Sequence, residues 1–413
     1  MTSPRRDSSD AQSGRTENQP GQAQTVTAAA PKPVLCFVGG CDLRLFGLTP
    51  RERLIRQFGR AGVTSVISPE EAQRHQGPVI IARADALIDQ PVVEYLAKNS
   101  GLVLLAGSES DGVLAAHVVG ADAAAVTDLL MNGGQQGALP QGLVQAAPKD
   151  LDLTFWSALR KREVPYALRV TAANARAMEW RMFMGTYKGA TDFITKHLWP
   201  VPAYHATRLI APLGITPNMV TTVGAVMVVA AFFLFLNGHY GTGLICAWLM
   251  TFLDTVDGKL ARVSLTSSKW GDIFDHGIDL IHPPFWYIAW GLGLEAYGKP
   301  MTDSALTWSL VAIFGGYVLQ RLMEGAAIKW LGLEIHIWRP IDTFFRQITA
   351  RRNPNLVLLT LSALVGRPDL GLVAVAWWTI ICLVLHGIQL AQGFAAARRG
   401  PLVSWMRKPV GAQ

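Results

Sequence analysis

The sequence predicts an α/β soluble domain fused to an all-α bundle of six transmembrane helices. Three observations predict this. Half of the 413 residues are hydrophobic and only 16% are charged, against roughly a quarter charged in an ordinary soluble domain. The apolar residues are also unevenly spread: residues 1–217 are mixed and polar, whereas 218–397 are dominated by long apolar runs. Within residues 33–137, short β-rich runs alternate with helical stretches, the pattern of a parallel sheet with crossover helices. The expected division is a disordered tail at 1–32, an α/β domain at 33–150, a connector at 151–217, the spanning domain at 218–397 and a basic tail at 398–413. The tail at 1–32 has no apolar core of a signal peptide, so the chain start is expected to stay cytoplasmic.

Val34–Val38, Val63–Ile67, Val79–Ala82 and Leu102–Leu105 have the composition of buried strands. Thr49-Pro50 supplies an N-cap and first-turn proline for an arginine-rich helix through Arg60. Gln90–Lys98 and Asp122–Met131 are further helices. The connector is rich in Pro, Arg and aromatics. Within it, Tyr187–Leu198 mixes apolar and basic residues and is expected to form an amphipathic helix on the membrane surface, with an ordinary linker helix as the alternative. Cys36, Cys41, Cys246 and Cys382 show no Cys-x-x-Cys spacing and imply neither a zinc site nor a disulfide framework.

The six expected spans are Met219–Leu236, Tyr240–Leu260, Asp272–Leu294, Leu306–Ala327, Asn355–Val365 and Gly371–Leu390. Thr216-Pro217 caps the first, and Pro283-Pro284 should kink the third. The connections on one side carry Lys259, Arg262 and Lys269, then Lys329, Arg339, Arg346, Arg351 and Arg352. The C-terminal tail adds Arg398, Arg399, Arg407 and Lys408, while the other side offers Lys299 and Arg367. That asymmetry places both termini in the cytoplasm. It also accounts for the net charge of +7 without a nucleic-acid partner.

Asp254, Asp257, Asp272, Asp275 and Asp279 do not belong in lipid. A charge at mid-bilayer costs at least ~2.5 kcal/mol on the most lenient scale. Asp254 and Asp257 share a helix face with Gly258, Ala261 and Arg262; Gly271, Asp275 and Asp279, four apart, form a second stripe. Asp272 falls off that stripe. Antiparallel spans would bring four carboxylates to one depth, at the cytoplasmic end. Oxygen ligands in that number suit Mg²⁺ or Mn²⁺, and two such ions ~3.5–4 Å apart can clamp an in-line phosphoryl displacement.

The string Asp254-x-x-Asp257-Gly258-x-x-Ala261-Arg262, eight residues, then Gly271-x-x-x-Asp275-x-x-x-Asp279 resembles the CDP-alcohol phosphotransferase signature at every fixed position. The resemblance covers about residues 183–395. It implies that Asp254, Asp257 and Asp275 hold metal, and that Asp279 is the general base, also able to touch metal. Gly258, Ala261, Arg262 and Gly271 would line the CDP site, with Asn218 of the Thr216-Pro217-Asn218 turn near the nucleotide or merely capping its helix. A hydroxyl would attack the phosphorus that bears the donor alcohol, and CMP would leave. Lys188, Thr191 and Asp192 could stand at the entrance or on a solvated face. Arg321, Lys329 and Arg339, with Glu324, are candidates for holding an anionic acceptor, with snorkelling as the alternative. His276 and His282 are read as packing or hydrogen-bonding residues.

In the soluble half, Phe37-Val38-Gly39-Gly40-Cys41-Asp42-Leu43-Arg44 resembles a sugar-nucleotide transferase loop. Asp42 stands where a glycine is expected, and Thr49-Pro50-Arg51-Glu52-Arg53 replaces a Pro-Lys pair. Asp85 matches a metal-binding aspartate. The expectation is a degenerate nucleotidyltransferase-like (Rossmann-like) domain. The fusion is similar to archaeal bifunctional inositol-phosphate cytidylyltransferase and di-inositol-phosphate phosphate synthase. The implied partners are a CDP-diacylglycerol or CDP-inositol type donor, a hydroxyl or phosphoalcohol acceptor, and membrane lipid, with a homodimer allowed for. The implied setting is a bacterial inner membrane. An ion-coupled transporter and an inactive membrane scaffold are the competing readings.

Overall fold

A computed structural model of the chain describes residues 31–107, 112–132, 139–156 and 159–407. Residues 1–30 of the expected tail, the side chain of Asp272 and the tail residue Lys408 lie outside the described residues. The N-terminal region runs β1 (Val34–Val38), α1 (Pro50–Arg60), β2 (Val66–Ile67), α2 (Pro69–Arg74), β3 (Pro78–Arg83), β4 (Ala86–Ile88), α3 (Gln90–Lys98), β5 (Leu102–Leu105), β6 (Val113–Val119), α4 (Asp122–Met131) and β7 (Val144–Ala146). Thr49 caps α1 as its spacing predicts: its hydroxyl accepts from the Glu52 amide, and the Glu52 carboxylate accepts from the Thr49 amide.

The sheet order is β2-β1-β3-β6-β5-β7. β1 is parallel to β2 and β3, and β5 to β7, but β6 runs antiparallel to both β3 and β5. The sheet is therefore mixed, which corrects the parallel sheet expected from sequence. The reason is local, because the link from Leu105 to Val113 is too short for a crossover helix. Strand alternation fills two layers. Leu35, Phe37, Ile80 and Ala82 pack with α1 and α3, while Cys36, Val38, Val79 and Ile81 pack with α4 residues Ala123, Val126 and Leu130.

The connector contributes β8 (Phe155–Trp156), β9 (Lys161–Arg162), β10 (Ala167–Arg169), α5 (Ala175–Gly185) and α6 (Pro200–Ile210). The expected surface helix over Tyr187–Leu198 is reduced to a wide turn at Ile194–Leu198, directly ahead of α6. Tyr187 is buried, with the Lys259 ammonium 3.4 Å from its ring centre.

The helical region comprises α7 (Pro217–Leu236), α8 (Tyr240–Val263), α9 (Lys269–Leu292), α10 (Asp303–Ala326), α11 (Pro340–Phe345), α12 (Arg352–Leu364) and α13 (Pro368–Ala397). Among the described residues three helices are long and apolar enough to cross a membrane: Pro217–Leu236, Asp303–Leu331 and Pro368–Ala397. This corrects the six-span bundle and supports multi-pass membrane character with three apolar helices. The physical reasons differ by helix. α8 and α9 have the length but carry acidic and basic side chains along it. α12 has 13 residues, about 20 Å of helix at 1.5 Å per residue, short of a bilayer core of ~30 Å.

Aromatic packing ties these helices together. Tyr240, Phe235, Trp286 and Trp290 share one buried cluster. The Tyr240 hydroxyl donates to the Trp290 carbonyl at 2.6 Å, and the Trp290 indole donates to the Pro368 carbonyl at 3.0 Å. At Gly293 the backbones meet so closely that a Cβ would stand 1.9 Å from the Phe235 carbonyl oxygen. A further cluster joins the two halves of the chain. Leu45, Phe46 and Leu87 of the N-terminal region pack with Met182, Phe183 and Tyr204 of the connector and with Val256, Leu260 and Val263 of α8. Phe183 is central, with ring centres of Phe46, Tyr187 and Tyr204 within 6.4 Å. Phe183→Ala should cost about 3–5 kcal/mol in chemical unfolding followed by tryptophan fluorescence. A cost near zero would show that this cluster does not join the two halves.

Candidate functional site

α8 and α9 run from a shared turn, and α7 packs on both. This arrangement brings one oxygen each of Asp254, Asp257 and Asp275 within 4.8 Å of one another, a group able to coordinate a metal ion. Asp257 is 3% exposed. Its Oδ2 accepts from the Thr221 hydroxyl of α7 at 2.6 Å, while its Oδ1 has no partner. A buried acceptor left without a hydrogen bond costs about 1–3 kcal/mol, more when charged. Beside it lies a void of about 10 Å³, walled by the three carboxylates with Thr221, Gly224 and Met250. That is close to the space one water-sized guest needs. The orphaned oxygen, the void and the all-oxygen donor set fit a small hard cation.

Asp279 stands apart from this group. Arg352, at the start of α12, bridges it to the cluster: one guanidinium nitrogen donates to Asp279, the other to Asp254 Oδ2 at 2.6 Å. Sequence reasoning assigned Arg352 to a membrane-side loop and so missed it. Its only sequence signal was its place in an Arg351-Arg352-Asn353-Pro354 run opening an apolar stretch.

Asp254, Asp275 and Asp279 line a cavity of about 550 Å³. Gly258, Ala261 and Arg262 line it as well; the Arg262 guanidinium donates to the Gly258 carbonyl at 3.0 Å. Gly271 and Asn218 lie outside that lining and against each other, where a Cβ on Gly271 would be 2.7 Å from Asn218 Oδ1. Lys188, Thr191 and Asp192 do face the cavity. Burial, with Arg262 and Arg160 nearby, holds the Lys188 ammonium below its ordinary range. His282 is tied to the Ile278 carbonyl at 2.6 Å and packs on Trp286; His276 Nδ1 is 4.0 Å from Asp275.

The cavity also carries a cationic group. Arg321, Arg346 and Arg351 line it with Glu324 and His336. Glu324 accepts from Arg351, and its other oxygen is 3.1 Å from Arg321. The Arg346 Nη1, Arg321 Nε and Arg351 Nε are buried without partners. Burial, together with Arg351, pushes the Arg346 guanidinium down to about 9. Glu324, His336 and His386 also lie close enough together to offer ligand atoms to one ion. Lys329 and Arg339 are elsewhere: Lys329 is exposed beside Trp330, and Arg339 is engaged by Asp342, Gln392 and Trp338.

In the N-terminal region, Asp85 is held by two arginines, Arg83 at 2.9 Å and Arg169 at 2.7 Å.

Apolar helices of membrane-crossing length, packed with two polar helices around a carboxylate group able to hold an ion, define a multi-pass membrane protein with a metal-capable site. Residues 214–350 match the model of the CDP-alcohol phosphatidyltransferase family, and this part of the chain is similar to it. The match begins after the N-terminal region, and no comparison supports a nucleotidyltransferase-like domain there. The chain is 34% identical over 95 residues to phosphatidylinositol phosphate synthase of Streptomyces avermitilis, covering 23% of this chain and 37% of that protein. It is 37% identical over 79 residues to archaetidylinositol phosphate synthase of Pyrococcus horikoshii, covering 19% and 42%. It is 35% identical over 92 residues to choline/ethanolaminephosphotransferase 1 of Arabidopsis thaliana, covering 19% and 23%. The chain thus spans well under half the length of these relatives. A crystal structure of Mycobacterium tuberculosis phosphatidylinositol phosphate synthase in apo form is similar at 20% identity and a TM-score of 0.35, over 44% of this chain and 93% of that one.

Removing Arg352 would leave Asp254 and Asp279 without their cation. Arg352→Ala should lower stability by about 3–5 kcal/mol in chelator, and Mn²⁺ should recover more of it than the wild type gains. Equal Mn²⁺ responses in thermal unfolding would show that the arginine and the ion do not share these carboxylates.

Proposed function

We propose that the chain is a metal-dependent CDP-alcohol phosphotransferase that acts on an acceptor alcohol which itself carries a phosphate-like anion. The observation that carries the reading is the meeting of Asp254, Asp257 and Asp275 beside a large cavity that Arg321, Arg346 and Arg351 also line. In this reading Asp254, Asp257 and Asp275, with Asp279 within reach, hold Mg²⁺ or Mn²⁺. The metal, when bound, supplies charge neutralisation for the diphosphate of the donor.

Gly258 and Ala261 leave backbone and small side chains where the CDP moiety must approach, and Arg262 pairs with its phosphate. Gly271 and Asn218 support that site from behind. Asp279 takes the proton of the acceptor hydroxyl. The hydroxyl oxygen forms its bond to the phosphorus bearing the donor alcohol, the diphosphate P–O bond breaks, and CMP leaves with the bridging oxygen. Arg352 fixes Asp279 in orientation. Arg321, Arg346 and Arg351 hold the anionic end of the acceptor, and the unpartnered nitrogens of all three support this. Lys329 and Arg339, which do not line the cavity, have no part in holding the acceptor in this reading. The acceptor class is supported by the names of two relatives, which act in inositol phosphate lipid synthesis. We place residues 33–150 and 151–217 as an accessory region and connector to the catalytic part, with both termini and the site on the cytoplasmic side of a bacterial inner membrane.

The test is CMP release by the purified chain with CDP-diacylglycerol, Mn²⁺ and paired acceptors, inositol against inositol phosphate. Release should depend on metal, stop in chelator and favour the phosphorylated acceptor. Asp279→Asn should lower kcat by about 10²–10⁴-fold, the usual range for a lost general base. Arg346→Ala should raise KM for the acceptor far more than KM for the donor. Metal-driven ion flux in liposomes without CMP release would overturn the transferase reading in favour of a transporter.

A further inference from the structure

The arginine-rich helix α1 is not explained by the transferase site. Its basic residues Arg53, Arg56 and Arg60 follow helical spacing on one face. That face meets the turn between α8 and α9, the segment that separates the two halves of the acidic motif. Arg53 donates to the Val263 carbonyl, Arg56 to the Ser264 carbonyl at 2.7 Å, and Arg60 to the Ser267 hydroxyl at 3.1 Å.

The chemistry of the contact is specific. The last carbonyls of a helix have no partner within it, and they carry the negative end of its dipole. Here α8 has those groups met by cations from another part of the chain. The arrangement has a cost, since Arg53 is 5% exposed and burial pushes its guanidinium down to about 10. Three neighbouring cations also repel one another. Apolar packing of Leu45 and Phe46 on Val256, Leu260 and Val263 offsets this cost and holds α1 in place.

The gripped turn is part of the site. Leu265 sits at φ +57, a conformation unfavourable for a branched side chain, so the turn needs outside support to keep its shape. Ser267 lines the large cavity. Ser268 caps α9 by accepting from the Gly271 amide at 3.0 Å.

We infer that α1 is a clamp: Arg53, Arg56 and Arg60 are positioning residues that hold the 264–268 turn in the shape that lets the CDP site form. The role in nucleotide binding rests on the transferase reading above; the grip on the turn does not. The N-terminal region then acts on the site by contact.

The test uses the full chain in detergent. Arg56 and Arg60 are exposed, so the double variant Arg56→Ala/Arg60→Ala spares the core. It should raise amide exchange across 264–271 and weaken CDP binding in Mn²⁺, each by about tenfold, as expected for the loss of two charge-assisted hydrogen bonds. Arg56→Lys/Arg60→Lys should restore most of both, and Arg74→Ala on α2 should change neither. Unchanged exchange in the alanine double variant overturns the clamp. Faster exchange with unchanged CDP affinity reduces α1 to a docking helix and overturns its positioning role. If the wild type binds CDP but releases no CMP from any donor, the transferase reading fails while the CDP comparison still decides the clamp.

Discussion

The close approach of Asp254, Asp257 and Asp275 is the constraint on which the helical region depends. Two like charges 4 Å apart repel by about 4 kcal/mol even at an effective dielectric of 20, and the three oxygens lie within 4.8 Å of one another. Such a group persists only where the surroundings supply positive charge or hydrogen bonds. Thr221 supplies one hydrogen bond, and Arg352 of α12 supplies charge to Asp254 by direct contact. Asp257 keeps one oxygen unmet, and that shortfall is what a bound cation would remove. The same acids make α8 and α9 too polar to count as apolar spans, so α7, α10 and α13 supply the apolar lengths around them.

The same cavity also carries the opposite sign. Glu324 gathers Arg321 and Arg351, which limits the repulsion among the arginines without neutralising them all. A cavity lined by both acids and guanidinium groups suits a reaction between two phosphate-bearing partners. In the proposed reaction the carboxylates would hold the cation beside the donor diphosphate, and the arginines the acceptor's anion. The reacting hydroxyl would then be presented to Asp279. No single group has to perform both recognition and chemistry.

Much of this was legible in the sequence, for reasons of period and spacing. The alternation of β1 and β3, the Thr49-Pro50 start of α1 and the Thr216-Pro217 start of α7 are local signals, and they placed these elements. The three-residue step from Asp254 to Asp257 and the four-residue step from Gly271 to Asp275 placed those acids on helix faces. Long-range choices were not legible. Nothing in Val113–Val119 says which neighbours it pairs with, so its antiparallel placement was missed. Arg346, Arg351 and Arg352 were read as loop charges because a positive residue near an apolar run has the same signature whether it meets lipid head groups or a buried carboxylate. The count of spans failed similarly, since hydrophobic runs interrupted by acids were scored on length while their charge was explained by the site.

The N-terminal region shows why a family match and a folding unit need not coincide. The matched segment begins at residue 214, yet Val256, Leu260 and Val263 inside it are buried against Leu45, Phe46 and Leu87 outside it. Removing those partners would expose apolar surface at about 25 cal/mol per Å² on the helix that carries Asp254 and Asp257. The eight residues between Arg262 and Gly271 must reverse the chain and still deliver two helices to one carboxylate group. Their backbone is held by α8 on one side and by the arginines of α1 on the other. The spacing of the motif is therefore a statement about a turn, and in this chain part of what fixes that turn lies some 200 residues earlier in sequence.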